Sequence, residues 1–221
     1  MGHKVNPKLF RLGPVYIWES RWFDDKNYAA TLLDDYHLRR AIVERLKMAG
    51  VSTVEIERSI NSLRVTAYVS KPGIVIGRGG AGLEELKKFL VELLSKNNKG
   101  LPAGKAGKAL PKMDIRIEAI KEPNLDAYLV AKNISDQLAR RMPAKRVMGQ
   151  AVERAMGSGA RGVRVVLSGR IGGAEIGRRD KMQQGTVPLS TIREHVSFAS
   201  VPSLTKKGYI GVKVWINKEE E

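Results

Sequence analysis

A glycine-rich stretch occupies residues 71–82, which read Lys71-Pro72-Gly73-Ile74-Val75-Ile76-Gly77-Arg78-Gly79-Gly80-Ala81-Gly82. Glycine has no Cβ, so a glycine-rich backbone can take positive φ and come close to another molecule. The helix predicted after the glycines offers free N–H groups to an anion, and Arg78 adds a guanidinium that matches phosphate geometry. The stretch predicts a phosphate-binding loop at a helix start, against the alternative of a tight turn without a ligand.

Two known loop patterns overlap in this stretch. Residues 77–82 match the dinucleotide-binding G-x-G-x-x-G, but that pattern needs an acidic residue about 20 positions further on. No Asp or Glu lies between Glu92 and Asp114, and Pro72-Gly73 interrupts the buried strand that should precede the loop. A Walker loop is excluded because no Gly-Lys-Ser/Thr follows the glycines. Residues 77–80 match the G-x-x-G with which KH domains clamp about four nucleotides, and the apolar residues before the loop would form a floor for bases.

Periodicity predicts the elements around the loop. Leu38, Ile42 and Leu46 recur every fourth residue and predict a helix that begins at Asp34-Asp35. The next predicted elements are strands near 53–56 and 63–67, a helix over 83–94, a long basic loop over 95–111 and a strand over 113–117. The later ones are helices over 125–141 and 143–157 and strands over 162–168, 196–201 and 209–217. This order predicts two α/β domains with a boundary near residue 122.

The first 23 residues mix basic and aromatic side chains. Pro7, Gly13 and Pro14 argue against a regular element there, so an extended arm is predicted. The aromatic residues of the arm are Phe10, Tyr16, Trp18, Trp22 and Phe23. We expect them to pack on their own domain, with a partner as the alternative.

The charge of the chain indicates a polyanionic partner. Its 39 lysines and arginines exceed its 23 aspartates and glutamates by +16, and its pI is about 10.1. Residues 1–110 and 111–221 carry +8 each, and residues 132–181 alone carry +8. Folded domains with a pI above 9 commonly bind nucleic acid. A basic surface that serves only solubility is one alternative; a membrane surface is another, but no basic amphipathic helix supports it.

Composition also excludes several classes of protein and site. The 43% of hydrophobic residues can form a core, and cysteine is absent, which excludes disulfides and cysteine zinc sites. No apolar run approaches the roughly 20 residues of a membrane helix. The N-terminus lacks a signal-peptide pattern, so we expect the protein to stay where it is made. His3, His37 and His195 lack metal-ligand spacing, and the acidic pairs lie at predicted helix starts.

Several longer stretches make the chain resemble a known family, the bacterial-type small-subunit ribosomal protein three. The stretches are Met1–Pro7, Arg11–Gly13, Pro72–Gly77, Ser168–Ile176, Gly185–Leu189 and Ile210–Ile216. The resemblance covers nearly the whole chain. It implies an α/β (α+β) fold class, with a type II KH domain followed by a second α/β domain whose helices pack on a small sheet.

The implied domains have definite bounds. Residues 1–37 would form the N-terminal arm and first helix, 38–122 the KH domain, 123–217 the C-terminal α/β domain and 218–221 a short acidic tail. Residues 95–111 look like an insertion relative to the family, so no contacts are carried over to them.

The resemblance also implies a function and a set of sites. It implies a structural protein of the cytoplasmic ribosome that binds ribosomal RNA in the head of the small subunit, next to ribosomal proteins ten and fourteen, and that helps position messenger RNA at the entry channel. The implied RNA-binding loop residues are Lys71, Gly77, Arg78, Gly79 and Gly80. The implied ribosomal-RNA residues are Gly2, His3, Lys4, Arg11, Arg170, Arg178 and Arg179. The implied messenger-entry residues are Arg140, Arg141, Lys145 and Arg146.

The chain departs from the family at Gly149 and Gln150, where relatives often keep basic residues, and this weakens the expectation of help in unwinding messenger. We expect no enzymatic activity, cofactor, metal, membrane or small-molecule substrate. Two alternatives stay open: a nucleotide-binding enzyme that uses residues 77–82, and a free KH-type regulator that binds messenger away from ribosomes.

Overall fold

The computed structural model describes residues 4–59, 61–98 and 112–218, and only the backbone of 96–98. The helices are α1 (Pro7–Phe10), α2 (Tyr28–Arg45), α3 (Pro72–Ile76), α4 (Ala81–Asn98), α5 (Ala127–Ala139) and α6 (Ala144–Gly157). The strands are β1 (Ser20–Arg21), β2 (Val51–Arg58), β3 (Ser62–Val69), β4 (Lys112–Ala119), β5 (Gly162–Gly169), β6 (Arg178–Gly185), β7 (Val196–Thr205) and β8 (Gly208–Asn217). The chain forms two compact units: Trp18–Lys121, and residues 1–17 together with 122–221.

The unit Trp18–Lys121 is a four-stranded sheet with the order β1-β2-β3-β4. Strands β2 and β3 are antiparallel, whereas β4 runs parallel to β3. A parallel connection needs a crossover, and α3 and α4 supply it. Alternation along the strands places one apolar row against α2 and α4, so that Leu38, Val65 and Leu90 are fully buried together.

Helix α2 begins at Tyr28, six residues before the predicted start at Asp34. The prediction was wrong because the first turns of α2 expose Leu32 and Leu33, so core periodicity begins only at Leu38. Asp35 is fully buried inside this helix. Its carboxylate accepts hydrogen bonds from Trp22 Nε1 at 2.7 Å, Arg58 Nε at 2.7 Å and Ser20 Oγ at 3.1 Å. Asp35 therefore connects α2 to β1 and β2 and does not mark a helix start.

The second unit is an antiparallel sheet with the order β6-β5-β8-β7, covered on one side by α5 and α6. Asp126 caps α5 by accepting from the N–H groups of Tyr128 and Leu129. Strand β6 was not predicted, because it is an edge strand whose residues are mostly polar on both faces. The predicted mixed α/β fold, with helices packed on a small sheet in the second unit, is confirmed.

The N-terminal arm and the basic loop differ from their predictions. Residues 7–10 form the helix α1, because Asn6 accepts a hydrogen bond from the N–H of Lys8 and Pro7 suits the first helical turn. Among the aromatic residues of the arm, Tyr16 and Trp22 are partly buried, whereas Phe10, Trp18 and Phe23 are exposed. Helix α4 continues through residues 95–98, and residues 99–111 of the predicted loop lie outside the described residues.

Candidate nucleic-acid interface

The glycine loop connects the helices α3 and α4. Helix α3 ends at Ile76, Gly77 follows with φ +68°, and residues 78–80 form a tight turn before α4. Gly79 and Gly80 have φ of +61° and +84°, and a Cβ built on either one would meet nothing within 4 Å. Positive φ explains why the turn uses glycine, and the open space leaves its backbone accessible to a ligand.

Gly82 has a different role from the glycines before it. A Cβ on Gly82 would lie 2.5 Å from the carbonyl oxygen of Val75. Only glycine lets the first turn of α4 pack this closely against the end of α3. The third glycine of the apparent dinucleotide pattern thus serves helix packing, a role that the sequence pattern alone does not reveal.

The side chains around the loop are suited to a polyanion. Lys71 and Arg78 are exposed, and neither has an ion-pair partner within the described residues. Ile74 and Ile76 expose 57% and 40% of their surface beside the loop, while Val75 between them is buried. Cations, an open backbone and an exposed apolar surface therefore adjoin one another, as a clamp for a nucleotide backbone requires.

A second cationic cluster lies at the turn between α5 and α6. Arg140, Arg141, Lys145 and Arg146 are all exposed. Arg141 has φ +64° and occupies the position after a helix end where glycine is the usual residue. The N–H of Met142 donates to the carbonyl of Gln137 at 3.2 Å, which closes the last turn of α5.

The first turn of α6 holds Lys145 and Arg146 but no acidic residue, and its N-cap, Pro143, makes no side-chain cap. Cations at a helix N-terminus oppose the helix dipole. Gly149 and Gln150, one turn on, are partly buried. Arg141 thus has an unfavourable backbone conformation, and Lys145 and Arg146 have unfavourable electrostatics without a partner.

Arg11 must be removed from the implied RNA contacts. Its side chain is fully buried, and its guanidinium donates to the backbone carbonyls of Pro7, Pro188, Leu189, Thr191 and Glu194 at 2.7–3.3 Å. Its Nε, Nη1 and Nη2 atoms all donate within the protein, and no part of the side chain is exposed to a phosphate. Lys4 is exposed, and Gly2 and His3 lie outside the described residues.

The remaining implied RNA contacts lie after β5. Arg170 is partly buried, and its Nε donates to the carbonyl of Ala174 at 2.8 Å, which holds the turn over residues 171–173. Arg178 and Arg179 are exposed at the start of β6. Because successive strand residues point to opposite faces, these two arginines do not act as one cluster.

The described residues contain no group of three or more metal-ligating side chains. No helix in the described ranges is long and apolar enough to cross a bilayer.

Comparison with known proteins shows the family to which the chain belongs. Residues 37–125 match a family model described as "KH domain", and residues 134–216 match one described as "Ribosomal protein S3, C-terminal domain". The chain is 44% identical to the small ribosomal subunit protein uS3 of Lactobacillus helveticus and 45% identical to that of Lactobacillus acidophilus, over 100% of this chain and 92% of each relative. It is 42% identical to the same protein of Syntrophomonas wolfei, over 100% of the chain and 90% of the relative.

These matches confirm the predicted KH domain and the resemblance that the sequence stretches indicated. The relatives are ribosomal proteins rather than enzymes, so the prediction of a non-enzymatic protein is confirmed as well. With more than 40% identity along its whole length, the chain belongs to the family of the small ribosomal subunit protein uS3.

Proposed function

We propose that this protein is a structural constituent of the small ribosomal subunit in the cytoplasm, where it binds ribosomal RNA in the subunit head. The observation that carries the RNA-binding part is the open glycine loop. Its backbone is accessible at Gly79 and Gly80, and Arg78 beside them is exposed without an ion-pair partner in the described chain. The net charge of +16 supports a polyanionic partner on several surfaces.

We further propose that the α5–α6 turn faces messenger RNA at the entry channel. Arg141 in a left-handed conformation costs about 1 kcal/mol relative to glycine, and Lys145 and Arg146 oppose the dipole of α6. Such local costs concentrate at functional sites. A phosphate backbone against this turn would offset the electrostatic cost.

The proposal includes neighbours and domain bounds. Ribosomal proteins ten and fourteen are the proposed protein neighbours, as the family resemblance implies. The proposed domains remain 38–122 for the KH module and 123–217 for the C-terminal module, with residues 1–37 preceding them and 218–221 as a tail.

Salt-dependent binding of the full chain to in vitro transcribed small-subunit ribosomal RNA tests the RNA-binding role. The logarithm of affinity should fall linearly with the logarithm of salt, with a slope of about −0.7 to −0.9 per phosphate contacted. The double variant Lys71→Ala/Arg78→Ala should reduce the magnitude of that slope by about 2. The matched variant Arg40→Ala/Lys47→Ala removes two exposed cations of the same unit outside the loop. It should change the magnitude of the salt slope by no more than about 0.5.

Incorporation into particles tests the ribosomal role. The protein should cosediment with small subunits reconstituted without their own copy of this protein. RNA binding without cosedimentation would instead support a free KH-type regulator, and a salt slope near zero would overturn RNA binding itself.

A further inference from the structure

The sheet of the second unit has two chemically different faces. On β5, Val163, Val165 and Leu167 pack against the helices, so Arg164 and Val166 point to the other side. We call that side the outer face. Its residues follow from the pairing register, because directly paired residues in antiparallel strands share a face.

The register places four cations on the outer face. The middle row, read from β6 to β7, is Lys181, Val166, Lys213 and Ser200. The row on one side of it is Arg179, Ser168, Gly211 and Pro202. The row on its other side is Gln183, Arg164, Trp215 and Phe198. The outer face therefore carries Arg164, Arg179, Lys181 and Lys213, and none of its positions in β5–β8 is acidic. Asp180 lies on the opposite face, because its strand neighbours Arg179 and Lys181 are on this one.

One end of the outer face is covered and the other is open. Val187 and Leu189 pack against the cluster of Val166, Val196 and Trp215, so the cover reaches Val166, which lies between Lys181 and Lys213. The Arg164 guanidinium lies 5.2 Å from the Trp215 ring. Toward the open end, Arg179, Lys181 and Lys213 are exposed and have no ion-pair partner within the described residues. Tyr209, on the same face, exposes 68% of its surface.

The open residues are spaced so that each can contact a separate group. Arg179 and Lys181 are two positions apart along β6, about 7 Å, and Lys213 lies two strands from Lys181, about 10 Å. Three separated cations beside an exposed aromatic ring are what a single RNA strand requires: charges that follow the phosphates and a ring on which a base stacks.

The other sheet of the same chain shows that this charge is not a general property of its strands. The solvent-facing positions of β1–β4 carry four cations, Arg21, Arg64, Lys112 and Arg116, and four acids, Glu55, Glu57, Asp114 and Glu118. Five ion pairs of 3.1–3.6 Å connect Arg21, Arg64 and Arg116 to the acids. One sheet surface is thus neutralised internally, whereas the outer face of the second sheet keeps its charge for a partner.

We infer that the open end of the outer face binds an RNA strand, with Arg179, Lys181 and Lys213 on phosphates and Tyr209 stacked on a base. The inference rests on the proposed RNA-binding function and deepens it. It adds Lys181, Lys213 and Tyr209 as contacts, in a place separate from the glycine loop and from the α5–α6 turn.

The test compares two triple variants of the full chain, again with small-subunit ribosomal RNA as the probe. The variant Arg179→Ala/Lys181→Ala/Lys213→Ala removes the open cations, and Arg21→Ala/Lys112→Ala/Arg116→Ala removes the same charge from the neutralised sheet. The first should weaken affinity at least tenfold and lower the magnitude of the salt slope by about 2 to 3. The second should change the slope by less than one. Melting curves of both variants confirm that they are folded.

A second readout uses the wild-type protein. Lysine acetylation followed by mass spectrometry should show Lys181 and Lys213 protected by RNA, whereas Lys112 should react equally with and without RNA. Tyr209→Leu should weaken binding several-fold, and Tyr209→Phe should restore it because the ring is retained.

The possible failures are distinguishable. Wild-type protein that does not bind the RNA would refute the proposed function. Two other outcomes would refute only the outer-face inference. In one, both triple variants lose RNA affinity equally; in the other, RNA binds but leaves Lys181 and Lys213 unprotected. Unchanged RNA affinity with loss of cosedimentation would assign the face to an acidic protein neighbour and would also refute the inference.

Discussion

The Nη2 atom of Arg11 lies 2.7 Å from the backbone carbonyl oxygen of Thr191, a residue 180 positions further along the chain. The same guanidinium reaches the carbonyls of Pro188 and Glu194. A segment without regular structure, residues 186–195, is thereby held to the N-terminal residues. Val187 and Leu189 of that segment pack against the buried cluster that contains Trp215.

Replacing Arg11 should therefore affect stability more than RNA binding. Arg11→Lys should lower the free energy of unfolding by about 2–4 kcal/mol, because an ammonium cannot reproduce the planar fork and leaves buried carbonyls unpaired. Urea unfolding measures the change. Arg193→Ala, an exposed arginine of the same segment, should cost no more than about 0.5 kcal/mol. A loss of salt slope in folded Arg11→Lys, as large as that of the Arg179 triple variant, would contradict the structural role.

Tyr16 should make stability sensitive to alkaline pH. Burial, opposed in part by the Arg11 charge and reinforced by Asp126, raises the pKa of Tyr16 from 10.0 to about 12. Between these two pKa values the unfolded chain loses the phenolic proton while the folded chain keeps it. The contribution of Tyr16 to the free energy of unfolding is therefore fully present below pH 10 and is lost as the pH rises toward 12.

The variant Tyr16→Phe removes this dependence and isolates it from the titration of lysines. Urea unfolding at pH 8 and pH 11 should show the wild type losing more stability than the variant. At neutral pH the variant should be as stable as the wild type or slightly more so, because the buried Tyr16 hydroxyl has no hydrogen-bond partner in the described chain. A wild-type minus variant difference that stays constant with pH would refute the prediction.

Substitutions of two loop glycines should have different effects, with Gly82→Ala acting on helix packing and Gly79→Ala acting on RNA binding. Gly82→Ala should destabilise the first unit by about 1–3 kcal/mol, because its Cβ would overlap the carbonyl oxygen of Val75. Gly79→Ala should cost about 1 kcal/mol through its positive φ, but it should reduce RNA affinity more than Gly82→Ala does at temperatures where both are folded. Thermal melts and RNA titrations check the two effects. The reverse order of RNA affinities would show that the open backbone of the loop does not contact RNA.

The α5–α6 turn should matter most for structured messenger. Lys145→Ala/Arg146→Ala should slow translation through a stable hairpin more than through an unstructured template, because it removes two exposed cations from the proposed entry site. Reconstituted translation with paired templates measures the ratio. The control variant Lys87→Ala/Lys88→Ala removes two exposed cations of α4. Any change that it makes in the translation rate should be the same on both templates. Equal slowing by the α6 variant would contradict a role at the entry channel.

Local pattern was sufficient for much of the fold. The strands around Val65, Ile115 and Val214 were predictable because apolar residues occupy every second position over a short stretch of sequence. The glycine loop was recognisable for the same reason. Strand β6 and the start of α2 were not, because neither carries the apolar periodicity that marks a core-facing element.

For the candidate site, sequence could identify residue types but not their surroundings. Arg78 and Lys145 are both exposed, as the binding roles that the sequence indicated for them require. Arg11 reads as one more cation of a basic arm, yet it is fully buried by carbonyls from residues about 180 positions away. Lys181 and Lys213, which no motif marks, come onto one face only through the pairing of β6 and β8 with β5.

The charge, the glycine loop, the order of most elements and the resemblance to a family could all be read from the sequence, because each of these depends on composition or on neighbouring residues. Which cations are exposed and unpaired could be seen only in the folded chain. That distinction depends on pairing register and burial, which bring together residues distant in sequence, so that Arg11 is occupied by the protein's own backbone while Lys213 remains exposed.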